Sequence, residues 1–261
     1  MTETQNMPII RVEDVTVAYG DFVVMHDITF EVKAGEVFVI LGGSGCGKST
    51  LLKSMIGLTR PTKGRVLIDG MDIVTADGAG ELAILRKIGV MYQQGALFGS
   101  MNLMENLCLP LEEFTDLPRS AMETIARTKL KVVNLEGTEY KMPSELSGGM
   151  RKRAAIARAM VLDPKILFLD EPSAGLDPIT SSQLDELVLK LSRTLHMTFV
   201  IVTHELPSIY KVADRVIMLD KRVKTIVATG KPSELRDRSD NPWVRQFFNR
   251  EAEVATESQQ T

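Results

Sequence analysis

The stretch Glu36 to Leu41 is apolar after its first residue and runs directly into Gly42-Gly43-Ser44-Gly45-Cys46-Gly47-Lys48-Ser49, after which Lys48 to Ile56 favours a helix. A strand without polar alternation is covered on both faces, which places it inside a parallel sheet flanked by helices. Between such a strand and such a helix, glycines let the chain wrap so that successive backbone N–H groups converge on one point, where the helix adds its positive end. The spacing G-x-x-x-x-G-K-[ST], in that context, reads as a phosphate-binding loop. Lys48 is placed to reach the β and γ phosphates of a nucleotide, and the Ser49 hydroxyl to hold Mg2+.

The remaining chain divides by composition. Short β-rich runs, Ile9 to Val12, Val15 to Tyr19, Ile28 to Val32 and Arg65 to Ile68, stand between turn formers and predict an antiparallel β layer. Apolar strands at Ile166 to Leu169 and Thr198 to Val202 flank a helical stretch, Ser181 to Leu195, and predict a parallel α/β sheet, to which Arg215 to Leu219 and Thr225 to Ala228 add strands. Between Phe98 and Met160 the spacing turns helical, with Pro110, Pro118 and Pro143 as punctuation, so an inserted helical lobe is expected. The expected division is therefore an ATP-binding core with its β subdomain at 1–97 and 161–230, a helical subdomain at 98–160, and a C-terminal helix with a flexible tail at 231–261. Trp243, Phe247 and Phe248 share one face of that last helix, which either packs back on its parent domain or reaches a neighbouring chain.

A second chemical signal is the strand end Leu169-Asp170-Glu171. One carboxylate can orient a metal's water shell and the other can take a proton from an attacking water, which makes Asp170 the metal-side residue and Glu171 the general base. Leu146-Ser147-Gly148-Gly149-Met150 then resembles the LSGGQ signature of ATP-binding-cassette ATPases, with Met150 where that family usually has Gln. The resemblance extends from Ile9 to about Gly230 and implies an α/β P-loop NTPase fold with a parallel core sheet, an antiparallel β subdomain and an inserted helical subdomain. It implies that Tyr19 stacks on adenine and that Gly42, Gly43, Ser44, Gly45, Cys46, Gly47, Lys48, Ser49 and Thr50 surround the phosphates of ATP. Gln93 matches the Q-loop, Ser173 to Asp177 the D-loop and His204 the switch histidine, so that Glu171, His204 and Gln93 form the catalytic set and Ser49, Gln93 and Asp170 the Mg2+ set. Ser147, Gly148, Gly149 and Asp177 would act on the nucleotide of an opposite subunit, so two chains would sandwich two ATP molecules as a homodimer.

Seen singly, several of these residues have ordinary readings: Tyr19 as a turn aromatic, Gln93 as a surface amide, His204 as a buried histidine satisfied by backbone. Cys46 reads as a small loop filler whose thiol a nearby positive charge would lower. Arg151-Lys152-Arg153 reads as a solvated basic face.

Within the family, the runs LSGGMRKRAAIARAM and DEPSAGLDPI, with Gln94 to Phe98 and Asn241 to Phe248, are similar to the ATPase subunits of Mla-type, MCE-associated phospholipid transporters. That likeness implies a peripheral subunit at the cytoplasmic face of the inner membrane, powering phospholipid transport that maintains outer-membrane lipid asymmetry. It implies an integral membrane permease, an MCE-type lipid-binding protein and a small STAS-domain protein as partners, with permease contacts beside Gln93 and around Leu97 to Asn106. In that region Met101, Leu103, Met104 and Leu107 stand at near-helical spacing and read as core. Another cargo, such as amino acids, ions or lipoproteins, is the alternative, because fold and ATP chemistry do not distinguish cargo.

Composition removes other classes. With 31 basic and 34 acidic side chains the net charge is −3, and aromatic residues make up 5%, so neither a field for phosphate backbones nor a stacking platform is present, and no nucleic-acid partner is expected. A mechanical ABC factor for DNA or ribosomes would carry a coiled-coil insertion, zinc cysteines or tandem cassettes, and none of these is seen. Cys46 and Cys108 lack the paired spacing of a zinc site or disulfide framework, which fits a reducing compartment. No run approaches the roughly 20 apolar residues of a bilayer span, and the polar, acidic N-terminus is unlike a secretory leader.

Overall fold

Two sheets organise the chain in the computed structural model, which describes residues 8–250; the polar tail expected at 251–261 lies outside the described residues. The first sheet is antiparallel, built from β1 (Pro8–Tyr19), β2 (Phe22–Lys33), β4 (Lys63–Ile68) and β5 (Met71–Asp72) in the order β2-β1-β4-β5. The second contains β3 (Val37–Gly42), β6 (Ile88–Met91), β7 (Ile166–Asp170), β8 (Thr198–Val202), β9 (Arg215–Asp220) and β10 (Thr225–Gly230), ordered β10-β9-β3-β8-β7-β6. All its pairings are parallel except that of β10 on β9.

Both faces of the parallel sheet are covered, as the unbroken apolar runs require. Val37, Val39 and Leu41 of β3 enter one core with Leu167, Leu169, Phe199 and Ile201, while Phe38 and Ile40 enter the other with Ile166, Phe168, Val200 and Val202. The alternation follows from the two-residue period of a strand. The second core is closed by the antiparallel sheet and by α1 (Lys48–Met55); Phe30 stacks on Phe38 with ring centroids 5.3 Å apart.

The first core is closed by α3 (Leu103–Phe114), α4 (Arg119–Val132), α5 (Gly148–Ala159), α6 (Pro178–Leu195) and α7 (Leu206–Val212). Leu103, Met104 and Leu107 are fully covered and belong to the core, whereas Met101 is half-buried. Buried Asn106 ties the preceding loop to α3: it accepts from the Phe98 N–H at 2.8 Å and donates to the carbonyls of Phe98, Met101 and Asn102.

Several expectations are corrected. The two runs at Ile9 to Val12 and Val15 to Tyr19 form one strand, with a register shift against β2 between them where Asp14 takes φ +53°. Pro110 does not punctuate: it lies inside α3, whereas Pro118 caps α4 and Pro143 opens a short 3-10 turn. Helix α6 begins at Pro178, because Asp177 caps it by accepting from the N–H groups of Ile179 and Thr180. Helix α2 (Gly78–Leu85) and strand β6 were not anticipated.

The C-terminal helices α8 (Pro232–Arg238) and α9 (Pro242–Asn249) pack back on their own domain. Val244 and Phe248 are buried in the first core, the Tyr210 hydroxyl donates to the Phe248 carbonyl at 3.2 Å, and Arg222 lies 4.9 Å from the Trp243 ring centre. Of the two readings for this helix, packing on the parent domain is the one observed.

Phe168 stands mid-strand, fully buried, two residues before the paired carboxylates. Phe168→Ala is expected to lower unfolding stability by about 3–5 kcal/mol, read as a lower midpoint at unchanged slope in a urea titration.

Candidate active site

Parallel strands end at the same edge of a sheet, and ligands bind beyond those carboxyl ends. Here β3, β8, β7 and β6 are consecutive neighbours, so the loops that follow them lie side by side. They deliver Gly42 to Gly45, Gly47 to Thr50, His204, Glu171 and Gln93 to one cleft, with Asp170 directly before Glu171 at the end of β7. Its lining includes Gly42, Gly43, Lys48, Gln93, Glu171 and His204.

The glycine loop holds its shape because particular positions tolerate no side chain. Gly47 stands at φ +96° at the mouth of α1, and a Cβ there would meet Met25 Cε at 2.5 Å. Lys48 is largely buried, and its ammonium donates to the carbonyls of Gly42 at 2.9 Å and Gly43 at 3.1 Å, which keeps the charge inside the loop's curve. Cys46 is 3% exposed, and burial pushes its thiol up despite nearby Lys48, opposite to the lowering expected from the charge alone.

Glu171 is the most constrained residue of the site. It takes φ +46°, a conformation that costs of the order of 1–3 kcal/mol for a residue with a side chain and persists only when its surroundings hold it. Its N–H donates to the Val202 carbonyl at 2.8 Å, and its Oε1 lies 2.8 Å from Nδ1 of His204. His204 is itself exposed; it is not the buried, backbone-satisfied histidine of the ordinary reading. Oε2 of Glu171 is buried and has no hydrogen-bond partner in the protein, which leaves a strong acceptor unsatisfied on a residue that lines the cleft.

Asp170 lies beside Ser49, whose hydroxyl donates to Oδ1 at 3.4 Å. Burial, and next the Glu171 charge, raise the Asp170 carboxyl above its usual range, while Ser49 and Lys48 oppose that shift. A hydroxyl and a carboxylate form an oxygen donor pair suited to a hard cation. Among the described residues no group of three or more His, Cys, Asp or Glu side chains stands together as a metal cage. The Ser49–Asp170 pair supplies the one or two protein oxygens through which Mg2+ binds together with substrate phosphates.

Other expected residues lie elsewhere. Tyr19 ends the first strand of the β1–β2 hairpin, is 56% exposed, and is not among the residues lining the cleft. Ser147 caps α5, its Oγ accepting from the Met150 N–H at 3.3 Å. Gly149 is pressed against α6, where a Cβ would stand 2.4 Å from Thr180 Cγ2. Asp177 is occupied as the α6 cap, and its hydrogen bonds to Thr180 hold its carboxyl below the usual range. Neither Ser147 to Gly149 nor Asp177 lines the cleft of its own chain.

Three residues were missed. Val24 and Phe247 line the cleft, the latter from α9, and no spacing signal connects them to the loop. Lys152 corrects the basic-face reading: while Arg151 is exposed, Lys152 is 7% exposed and its ammonium donates to the carbonyls of Gln93 and Glu171. Lys152 stands five residues beyond the exposed Ser147, and the basic run around it carries no signal that singles it out as buried.

Comparison with known proteins agrees with this geometry. The family described as ABC transporter matches residues 25–174. The chain is 45% identical to a "Probable ribonucleotide transport ATP-binding protein mkl" of Mycobacterium leprae over 92% of its own length and 68% of that relative. It thus spans about two thirds of the mycobacterial protein. It is 38% identical to the "Intermembrane phospholipid transport system ATP-binding protein MlaF" of Escherichia coli strain K12, over 92% of this chain and 88% of that one. Among solved structures, the dimeric post-hydrolysis state of the ATP-binding cassette MJ0796 bound to ADP and Pi superposes with TM-score 0.77 at 30% identity, covering 85% of this chain and 98% of that one. CbiO1 from Clostridium perfringens, part of the cbiONQ transporter complex, gives TM-score 0.80 at 30% identity, covering 89% and 92%. Sheet order, cleft and relatives agree, and the chain belongs to the ABC transporter family as one of its ATP-hydrolysing cassettes.

Proposed function

We propose that the chain is the ATP-hydrolysing subunit of a Mla-type phospholipid transporter. It works as a homodimer on a membrane permease at the cytoplasmic face of the inner membrane, with an MCE-type lipid-binding protein and a small STAS-domain protein. The observation that carries the cargo assignment is likeness to MlaF proteins over nearly their whole length: 88% of the relative in both Escherichia coli and Haemophilus influenzae. The mycobacterial relatives favour a second reading, ribonucleotide transport, through their 45% identity, but the chain spans only 66–68% of them.

The chemistry follows from the cleft. Loop amides and the Lys48 ammonium receive the phosphate charge of ATP, and Ser49, Asp170 and Gln93 are the residues that would hold Mg2+. When bound, Mg2+ neutralises charge on the β and γ phosphates. Glu171 takes the proton of the attacking water through Oε2, the carboxylate oxygen with no partner, while His204 holds Oε1 in place. Tyr19 contributes an adenine platform at the hairpin. Ser147, Gly148, Gly149 and Asp177, which lie outside their own cleft, complete the site of the partner chain. The dimeric state of the MJ0796 cassette supports a two-chain assembly.

Permease docking is assigned to the region beside Gln93 and around Leu97 to Asn106; an apolar groove lined by Leu58, Leu85, Tyr92, Ala96, Pro110 and Phe114 adjoins that region through Ala96. Among the described residues no helix is long and apolar enough to cross a membrane, so a transport role requires such a partner.

Glu171→Gln is expected to lower phosphate release by about 10²-fold or more while nucleotide binding persists, with an ATP-stabilised dimer visible by light scattering. Undiminished turnover would remove Glu171 from the base role. Purification of the tagged chain in mild detergent, followed by mass spectrometry, is expected to recover a permease, an MCE-type protein and a STAS-domain protein. A permease with a soluble solute-binding protein instead would retain the ATP site and discard the lipid.

A further inference from the structure

The signature helix carries a buried cation that the ATP chemistry above leaves unused. Lys152 sits on α5, about one turn beyond the signature glycines, and turns inward between the strand ends of β6 and β7. Its ammonium donates to the main-chain carbonyl of Gln93 and, at 3.3 Å, to that of Glu171. These are the two residues assigned to the metal side and to the attacking water. Three segments far apart in the chain thus meet on one nitrogen.

The contact falls where the backbone most needs support. Glu171 is held at φ +46° by groups on every side: Val202 on its N–H, His204 on its carboxylate, and Ala174 N–H together with Lys152 on its carbonyl. The N–H, carboxylate and Ala174 contacts come from the sheet and its own following turn. The Lys152 contact alone among these comes from the helical lobe, on the helix whose first turn is Ser147 to Gly149. A displacement of α5 therefore acts directly on the backbone that carries the Glu171 carboxylate.

We propose that Lys152 is a positioning residue for ATP hydrolysis: by holding the Gln93 and Glu171 carbonyls from α5, it sets the catalytic carboxylate and the metal-side glutamine according to the seat of the signature helix. Because the signature serves the partner chain's nucleotide in the dimer, the same ammonium joins one site's engagement to the other site's readiness. The inference rests on the roles proposed for Glu171 and Gln93.

The test uses the full chain with Lys152→Met, which keeps length and loses the donors, and Lys152→Arg, which keeps them. Steady-state phosphate release, binding of a fluorescent ATP analogue and thermal unfolding are measured for each, with Glu171→Gln in parallel. The expected result is a fall in kcat of about tenfold or more for Lys152→Met, with analogue affinity and KM within about twofold of the parent and recovery of most of the rate in Lys152→Arg. Unchanged kcat in Lys152→Met, beside an inactive Glu171→Gln, would overturn the inference and leave the base assignment standing. Joint loss of kcat, binding and melting temperature without rescue by Arg would make Lys152 a structural strut and overturn it as well. Full turnover in Glu171→Gln would overturn the role beneath it.

Discussion

Parallel pairing of four neighbouring strands is the constraint on which the rest of the molecule depends. In register, Val39 faces Ile201, Leu169 faces Ile201 from the other side, and Met91 faces Leu169, so the chain leaves β3, β8, β7 and β6 along one line. The arrangement of the cleft follows from that line: the glycine loop, His204, the carboxylate pair and Gln93 emerge next to one another although they are far apart in sequence. Parallel strands demand long crossover connections, and the connection between β6 and β7 is long enough to contain the helical lobe.

Burial then sets the electrostatics. Asp170 and Glu171 stand at the end of a strand covered on both faces, and desolvation together with their mutual repulsion lifts the Asp170 carboxyl. The cations that answer them are themselves drawn in. Lys48 is held by its own loop's carbonyls, and burial pushes the Lys152 ammonium down from its usual range while both carboxylates oppose that shift. Buried charges are tolerated only where hydrogen bonds replace water, and each of these lysines has such carbonyl partners.

The helical lobe is attached to this core by polar links as well as apolar packing. Besides Lys152, Arg158 donates from α5 to the Ala96 carbonyl and lies over the Phe98 ring at 5.1 Å, so the segment after Gln93 is bound to the signature helix at two places. Gly149 brings α5 against α6 at a distance no side chain would allow. Helix α5 thus holds loops of its own cleft by hydrogen bonds, although Ser147 to Gly149 do not line that cleft.

Local pattern in the sequence determined the buried strands, the phosphate loop between β3 and α1, the carboxylate pair after β7 and the helical character of the lobe, because each is written in neighbouring residues through apolar runs, glycine spacing and period. It could not reveal β6, whose four residues include a glycine and lack a long apolar run, nor that Pro110 stays within α3. Only the tertiary structure decided that Lys152 points inward, that Tyr19 stands apart from the phosphate cleft, and that α9 folds back to bring Phe247 to it. The physical reason is range: hydrophobic period and turn chemistry act over a few residues, whereas these contacts join segments far apart in the chain and are selected by the packing of the whole domain.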